Sequence, residues 1–383
     1  MDFELSDEQS LLRDSVGRLM EDAYGQFERR SGYAAEPKGW SESLWRQYAE
    51  LGLLGLPFSE DEGGFGGGPV ETMLVMEALG RGLALEPFLA TVVIGGAFLR
   101  LGGTPAQRAR LVPRVIDGSL RLAFAHVERQ ARYDLTDVAT VARRDGEAFV
   151  LNGAKGVVLH GDSAEVLIVS ARTDGGRRDR AGIGLFLVDS DSAGVARRGY
   201  TTQDGLRAAE VTLDGVRVAA EAVLGPPGDA LELIEQVVDI ALAAVCAEAV
   251  GAMQAAQQTT VDYLKTRQQF GSAIGGFQAL QHRAADMLVA LELARSMAMY
   301  AAMTAASPVA AERRVALAAA KVQVNESARA IGQAAMQLHG GIAMTREYKV
   351  GHYFKRLTMI ENFFGDTDHH LRRVADAGGM YDG

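Results

Sequence analysis

The chain has 383 residues, 48% of them hydrophobic, and a formal net charge of -10. That length exceeds what one hydrophobic core usually serves, so two or three structural units are expected. The acidic balance argues against a nucleic-acid backbone or an anionic membrane face as partner, because both recruit clustered Lys and Arg.

The N-terminus carries Asp2, Glu4, Asp7 and Glu8 before any apolar run, whereas an export signal needs a basic start and an apolar core. Ser6-Asp7-Glu8-Gln9 is a capping-box pattern that predicts a helix start, and Leu11, Leu12, Val16, Leu19 and Met20 follow at helical spacing. Leu44 to Leu54 and Val70 to Leu85 repeat the pattern around the glycine-rich stretch Gly63 to Pro69, so residues 1–119 read as a helical domain. Those glycines follow acidic residues and lack a following Gly-Lys-Ser/Thr, which makes them a turn rather than a phosphate loop.

Short β-branched or alternating runs come next, at Leu120–Val127, Ala148–Leu151, Val166–Ala171, Ile183–Val188 and Glu210–Leu213. Turn signals separate them: Asp145-Gly146, Asn152-Gly153, Asp174-Gly175-Gly176 and Asp214-Gly215. Residues 120–227 therefore read as a middle antiparallel β domain. From residue 228 to 383 the chain is Ala-rich, with helical patterns at Leu231–Thr266, Phe277–Ala306, Ala310–His339 and Thr367–Ala377. A helix of ~36 residues is about 54 Å long, so a C-terminal bundle that also packs on neighbouring chains is expected. The fold class is α+β, mainly α.

The most apolar stretch, Ile240 to Met253, is broken by Glu248 and is shorter than the ~20 residues of a spanning helix. The lone cysteine, Cys246, excludes a disulfide within the chain and reads as a small buried apolar residue. A cytoplasmic location is the expectation. No Gly-x-Gly-x-x-Gly follows a strand, and no Ser, His and Asp spacing suggests a triad. His339, His369 and His370 lack the spaced carboxylate or Cys partners of a metal site.

Two stretches can carry chemistry. Arg267 to Gln281 (RQQFGSAIGGFQALQ) lies between two long helices, where Arg267 either caps a helix or grips a diphosphate through paired donors, and Gly271 permits a sharp turn. Gln337-Leu338-His339-Gly340-Gly341 ends an Ala-rich helix, where the glycines either stop the helix or allow close backbone approach to a ligand.

Together these stretches resemble the Arg-x-x-Phe-Gly-x-x-Ile-x-x-Phe-Gln loop and the Gln-x-x-Gly-Gly element of the acyl-CoA dehydrogenases, and the resemblance runs the whole length of the chain. It implies FAD as cofactor, an acyl-CoA substrate and electron-transfer flavoprotein as acceptor. It also implies that Arg267, Phe270, Phe277, Gln278, Gln337, Gly340 and Gly341 contact the FAD of a neighbouring subunit. The departures fall elsewhere. The family's catalytic Glu before a Gly in the last helical segment aligns with Phe364, and the alternative Glu position on the first C-terminal helix aligns with Ala241. The family's flavin-contacting Thr aligns with Val127, and its Trp-Ile-Thr strand with Val157-Val158-Leu159. Asp239 stands where the family has a CoA-binding Asp, but the following Arg is Leu242.

In these respects, and in the run Arg346–Leu357 with Phe364–Leu371, the chain is similar to small subunits of heteromeric acyl-CoA dehydrogenases, such as the pimeloyl-CoA and steroid side-chain types. The expectation is a subunit of a hetero-oligomer, a dimer or heterotetramer, whose homologous partner supplies the catalytic Glu for α,β-dehydrogenation in fatty acid or steroid side-chain catabolism. Two alternatives stay open: a self-sufficient enzyme using Glu361 or Glu128 as base, and a structural chain that binds no flavin.

Overall fold

A computed structural model describes residues 5 to 378; Asp2 and Glu4 of the acidic N-terminus lie outside them. In chain order the elements are α1 (Asp7–Tyr24), α2 (Phe27–Ala34), α3 (Glu42–Glu50), α4 (Pro69–Gly82), a π-helical turn at Leu89–Gly95 that runs into α5 (Gly96–Gly102), and α6 (Pro105–Ile116). Strands follow: β1 (Leu122–Ala125), β2 (Val141–Asp145), β3 (Ala148–Leu159), β4 (Val166–Arg172), β5 (Ile183–Asp189), β6 (Val195–Thr201), β7 (Arg207–Ala219) and β8 (Val223–Leu224). The C-terminal third holds α7 (Leu231–Thr266), the short strands β9 (Gln268–Gln269) and β10 (Ser272–Ala273), then α8 (Gln278–Thr304), α9 (Ala310–His339), α10 (Val350–Asn362) and α11 (Thr367–Asp376). By contacts the chain divides into two units, one of Met1–Tyr33, Pro69–Ala84 and Leu242–Gly383, the other of Ala34–Gly68 and Leu85–Ala241.

The second unit is built on an eight-stranded sheet in the order β6-β7-β3-β2-β4-β5-β8, with β1 laid against β4. It is mainly antiparallel, but β1 and β2 both pair with β4 in parallel. Leu151, Val169, Phe186, Val188, Val211 and Val216 form its dry core. Two expected turns prove to be something else: Asn152-Gly153 lies within β3 and Asp214-Gly215 within β7. The two dipeptides face each other across the β3–β7 pair, where the register shifts between Leu151 and Gly153. The Gly215 amide donates to the Asn152 side-chain oxygen at 2.8 Å, so Asn and Asp next to Gly here make a bulge instead of ending a strand. Strands β2 (VARRD) and β6 (VARRGYT) escape a reading by apolar alternation because their outward positions are Arg-rich. In the 63–68 loop the amides of Gly64, Gly66 and Gly67 bond to the carbonyls of Ser59, Phe58 and Leu56, as a folded turn requires.

In the first unit α1 opens on the predicted capping box. Gln9 N–H donates to Ser6 Oγ at 3.2 Å, and the Ser6 amide to Gln9 Oε1 at 3.0 Å. Helices α4 and α7 cross in backbone contact: a Cβ at Gly80 would lie 2.0 Å from the Glu248 carbonyl oxygen, and one at Gly251 1.8 Å from that of Glu77. Only glycine permits that approach. Ala243, Ala301, Ala305, Leu317 and Ala320 pack α7, α8 and α9 together. Helix α10 was not expected as an element of its own. Its buried face is Val350, Tyr353, Leu357 and Ile360, a helical spacing diluted by Lys, Arg and His between them. No described helix is long and apolar enough to cross a membrane.

Candidate functional site

The first candidate stretch folds as a projecting hairpin. Helix α7 stops at Thr266; the Arg267 amide still donates to the Tyr263 carbonyl at 2.8 Å, and the Ile274 amide to the Arg267 carbonyl at 2.9 Å. Between them β9 and β10 pair around Phe270 and Gly271, at φ 55° and 80°, as a two-residue hairpin turn with left-handed central residues demands. Phe270 stands at the tip, 91% exposed, edge-on to Phe277 at 6.0 Å. Arg267 and Gln278 are exposed beside them. Phe270 and Phe277 together make a small exposed apolar patch on the hairpin.

The second stretch ends α9. Gly340 adopts φ 64°, ψ -141°, outside the range of residues with a Cβ, and its amide still reaches the Met336 carbonyl. Gln333, Met336, Gln337, Gly340, Gly341, Met344 and Phe354 line a pocket of about 440 Å³. The size suits a small ligand, with apolar walls and a few convergent amides. Tyr263 joins the two stretches: its carbonyl holds Arg267, and its ring stacks on His339 at 4.5 Å. His339 is oriented by its Nδ1 on the Ala335 carbonyl at 2.8 Å, and burial lowers its pKa. Thus Arg267, Phe270, Phe277 and Gln278 share one surface element, Gln337, Gly340 and Gly341 share another, and both are anchored on α7. The pocket's Met and Phe walls went unread in the sequence because nothing local separates a lining Met from a core one.

The positions expected to contact a flavin within the chain lie in the other unit. The Gly156 amide donates to the Val127 carbonyl at 2.8 Å, which brings Val127 beside the bulge that carries Val157. Val157 has φ 49° and is 41% exposed, a conformation β-branched residues take only when surroundings force it. The backbone of a side-chain-presenting bulge is kept, while what it presents is aliphatic. Donors for the edge of a polar ring are missing from Val127, Val157 and Leu159. At the start of α7, Asp239 is 1% and Ala241 0% exposed.

Phe364 occupies a left-handed position, φ 59°, followed by Gly365 at 123°; a Cβ on Gly365 would meet His370 Nε2 at 2.5 Å. The turn thus presents a phenylalanine at the position expected for the base. Glu361 is bonded to Arg329 and accepts from Thr367 Oγ1 at 3.4 Å. Glu128 is 4% exposed and accepts from Lys155 Nζ at 2.7 Å, from the amides of Ala139 and Thr140 at 2.8 and 3.1 Å, and from Gln130 at 2.7 Å. Burial pushes its carboxyl up, but the Lys155 ammonium and these donors outweigh it and hold it at about 2. A carboxylate so satisfied is a poor base near neutrality.

Two buried cations support the Phe364 turn. Lys321, 0% exposed, donates to Asn325 Oδ1 and the Ile360 carbonyl, both at 2.7 Å, and to the Glu361 carbonyl at 3.3 Å; burial pushes it down to about 8. It caps the last carbonyls of α10. Arg356 forks onto Glu248 at 2.6 and 2.8 Å and lies 5.2 Å from the Phe363 ring centroid.

The sequence matches the acyl-CoA dehydrogenase N-terminal domain over residues 6–119, the middle domain over 123–216 and the C-terminal domain over 231–379. Relatives include the probable acyl-CoA dehydrogenase YngJ of Bacillus subtilis, 29% identical with 98% of this chain and 99% of that one covered. Acyl-CoA dehydrogenase FadE12 of Mycobacterium tuberculosis is 32% identical, with 81% of each covered. Among solved structures, a variant of the steroid ACAD Tcur3481-Tcur3483 is 31% identical with TM-score 0.87 and 97% of each chain covered. The FAD complex of PigA is 26% identical with TM-score 0.90 and 98% of each covered. The chain belongs to the acyl-CoA dehydrogenase family, whose cofactor is FAD.

Proposed function

We propose that this chain is the non-catalytic subunit of a heteromeric acyl-CoA dehydrogenase. It would lend the Arg267 hairpin and the Gly340–Gly341 pocket to the FAD of a homologous partner, whose own Glu removes the α-proton of the thioester. One observation carries the reading: the turn that would present a base presents Phe364, and both substitute carboxylates are committed to cations. When bound, FAD accepts the β-hydride. This chain's part is to hold it: the Arg267 guanidinium is suited to a diphosphate, and Gly340 and Gly341 to close backbone approach. Exposed Leu288, Val289 and Leu293 on α8, and Ile342 and Met344 beside the pocket, supply apolar surface for the partner.

Likeness to a steroid ACAD supports a bulky acyl group, and an electron-transferring flavoprotein structure of Acidaminococcus fermentans, 26% identical at TM-score 0.90, supports that acceptor class. The segments 1–119, 120–227 and 228–383 would act as the family's three domains in the cytoplasm. The test is co-expression with a homologous dehydrogenase subunit. Arg267→Ala should leave the complex intact by gel filtration and weaken its FAD affinity about 10- to 100-fold, the worth of a charge-assisted bond. Unchanged affinity would favour a purely structural chain.

A further inference from the structure

A second pocket, of about 290 Å³, opens between α1, α4, α7 and the start of α10 within the first unit. Glu21, Arg81, Gln254, Asp262, Lys349 and Tyr353 line it. Its pairing is incomplete in a specific way. The buried Gln254 Oε1 has no hydrogen-bond partner among the described residues, a deficit of roughly 1 to 3 kcal/mol if nothing fills it. Among the described residues the side chains of Arg81, Lys349 and Glu21 make no ion pair, whereas Glu77 on α4 pairs with Arg295 at 2.7 Å. Asp262 differs: it already accepts from Gln258 at 3.0 Å.

The floor is built and rigid. Tyr353 is 4% exposed, and its hydroxyl donates to the Arg81 carbonyl at 2.6 Å, which fixes the Arg81 turn against α10. Arg81, Glu21 and Tyr353 line the same pocket. Gly25 leaves room for the acid, since a Cβ there would lie 2.6 Å from Glu21 Oε1. Among the described residues the pocket therefore offers two cations and two carboxylates, Glu21 and Asp262, without an ion pair, and a buried acceptor that needs an N–H.

We infer that this pocket binds a small zwitterion, an α-amino acid or a compound with the same paired groups. Its carboxylate would meet Arg81 and Lys349, and its ammonium Glu21 and Gln254. The volume lies near the lower end of small-ligand sites, and a ligand with both charges satisfies all four groups at once. The inference does not depend on the subunit role proposed above.

Calorimetric titration of the full chain, or of its complex, with L-glutamine, acetate, methylamine and inorganic phosphate tests it. L-Glutamine should bind saturably and at least 10-fold more tightly than acetate or methylamine. Lys349→Ala and Glu21→Ala, exposed or half-exposed positions whose folding circular dichroism verifies, should each weaken it 10-fold or more. L-Glutamine binding no better than acetate, or binding untouched by both substitutions, overturns the inference. Phosphate binding as tightly as L-glutamine also overturns it, in favour of a simple anion site.

Discussion

At the scale of single residues, the pair Glu128–Lys155 bears on whether Glu128 can serve as a relocated base. Both side chains are almost wholly out of water and pair at 2.7 Å, with Ser170 as a further acceptor for Lys155 at 3.1 Å. Removing one partner strands the other, so Lys155→Met should cost roughly 3 to 5 kcal/mol in denaturant unfolding. A buried titratable group that makes stability depend on pH is His370. Burial, with the positive charge of Lys321 adding to it, lowers its pKa to about 2. An unfolded imidazole takes a proton near pH 6.5. The unfolded chain therefore binds more protons between those values, and stability is full above pH 6.5 and falls as pH drops below it, by up to about 1.4 kcal/mol per unit for one group. His126, held at about 4 chiefly by burial, adds the same sign. Urea titrations from pH 7 to 4.5 should show that slope, and His370→Leu should flatten it. None of this burial is legible in sequence. Lys155 meets Glu128 from 27 positions away, and Lys321 meets the Ile360 carbonyl from 39.

At the scale of elements, what could be read was local. The Ser6 capping box, the long Ala-rich helices α7 and α9, and strands β4 and β5 follow from neighbours a few residues apart. What could not be read was set by contact. The Asn152 and Asp214 dipeptides became a bulge because two long strands pair across them, and α10 forms because its apolar face is buried. The α4–α7 crossing is of that second kind. Gly80 and Gly251 sit inside helices, where glycine costs about 1 kcal/mol relative to Ala, yet an added methyl would strike backbone carbonyl oxygens. Gly251→Ala should therefore destabilise by about 3 kcal/mol despite better helix propensity, measured by denaturant unfolding. A gain in stability would show that the helices are free to move apart.

At the scale of the whole molecule, the family was legible because two short stretches about 70 residues apart keep their residue types. In the structure each ends in an exposed feature, and both are anchored on the same helix. The absence of a Glu at the two expected positions was legible too, as Phe364 and Ala241. What the sequence left open was whether Glu361 or Glu128 stands in, and that turns on Arg329 and Lys155 reaching them first. The most direct measurement is the visible spectrum of the purified chain alone, before and after adding acyl-CoA thioesters. The account predicts sub-stoichiometric flavin absorbance and no bleaching until the partner subunit is present. Stoichiometric FAD that bleaches with acyl-CoA in the isolated chain would contradict it.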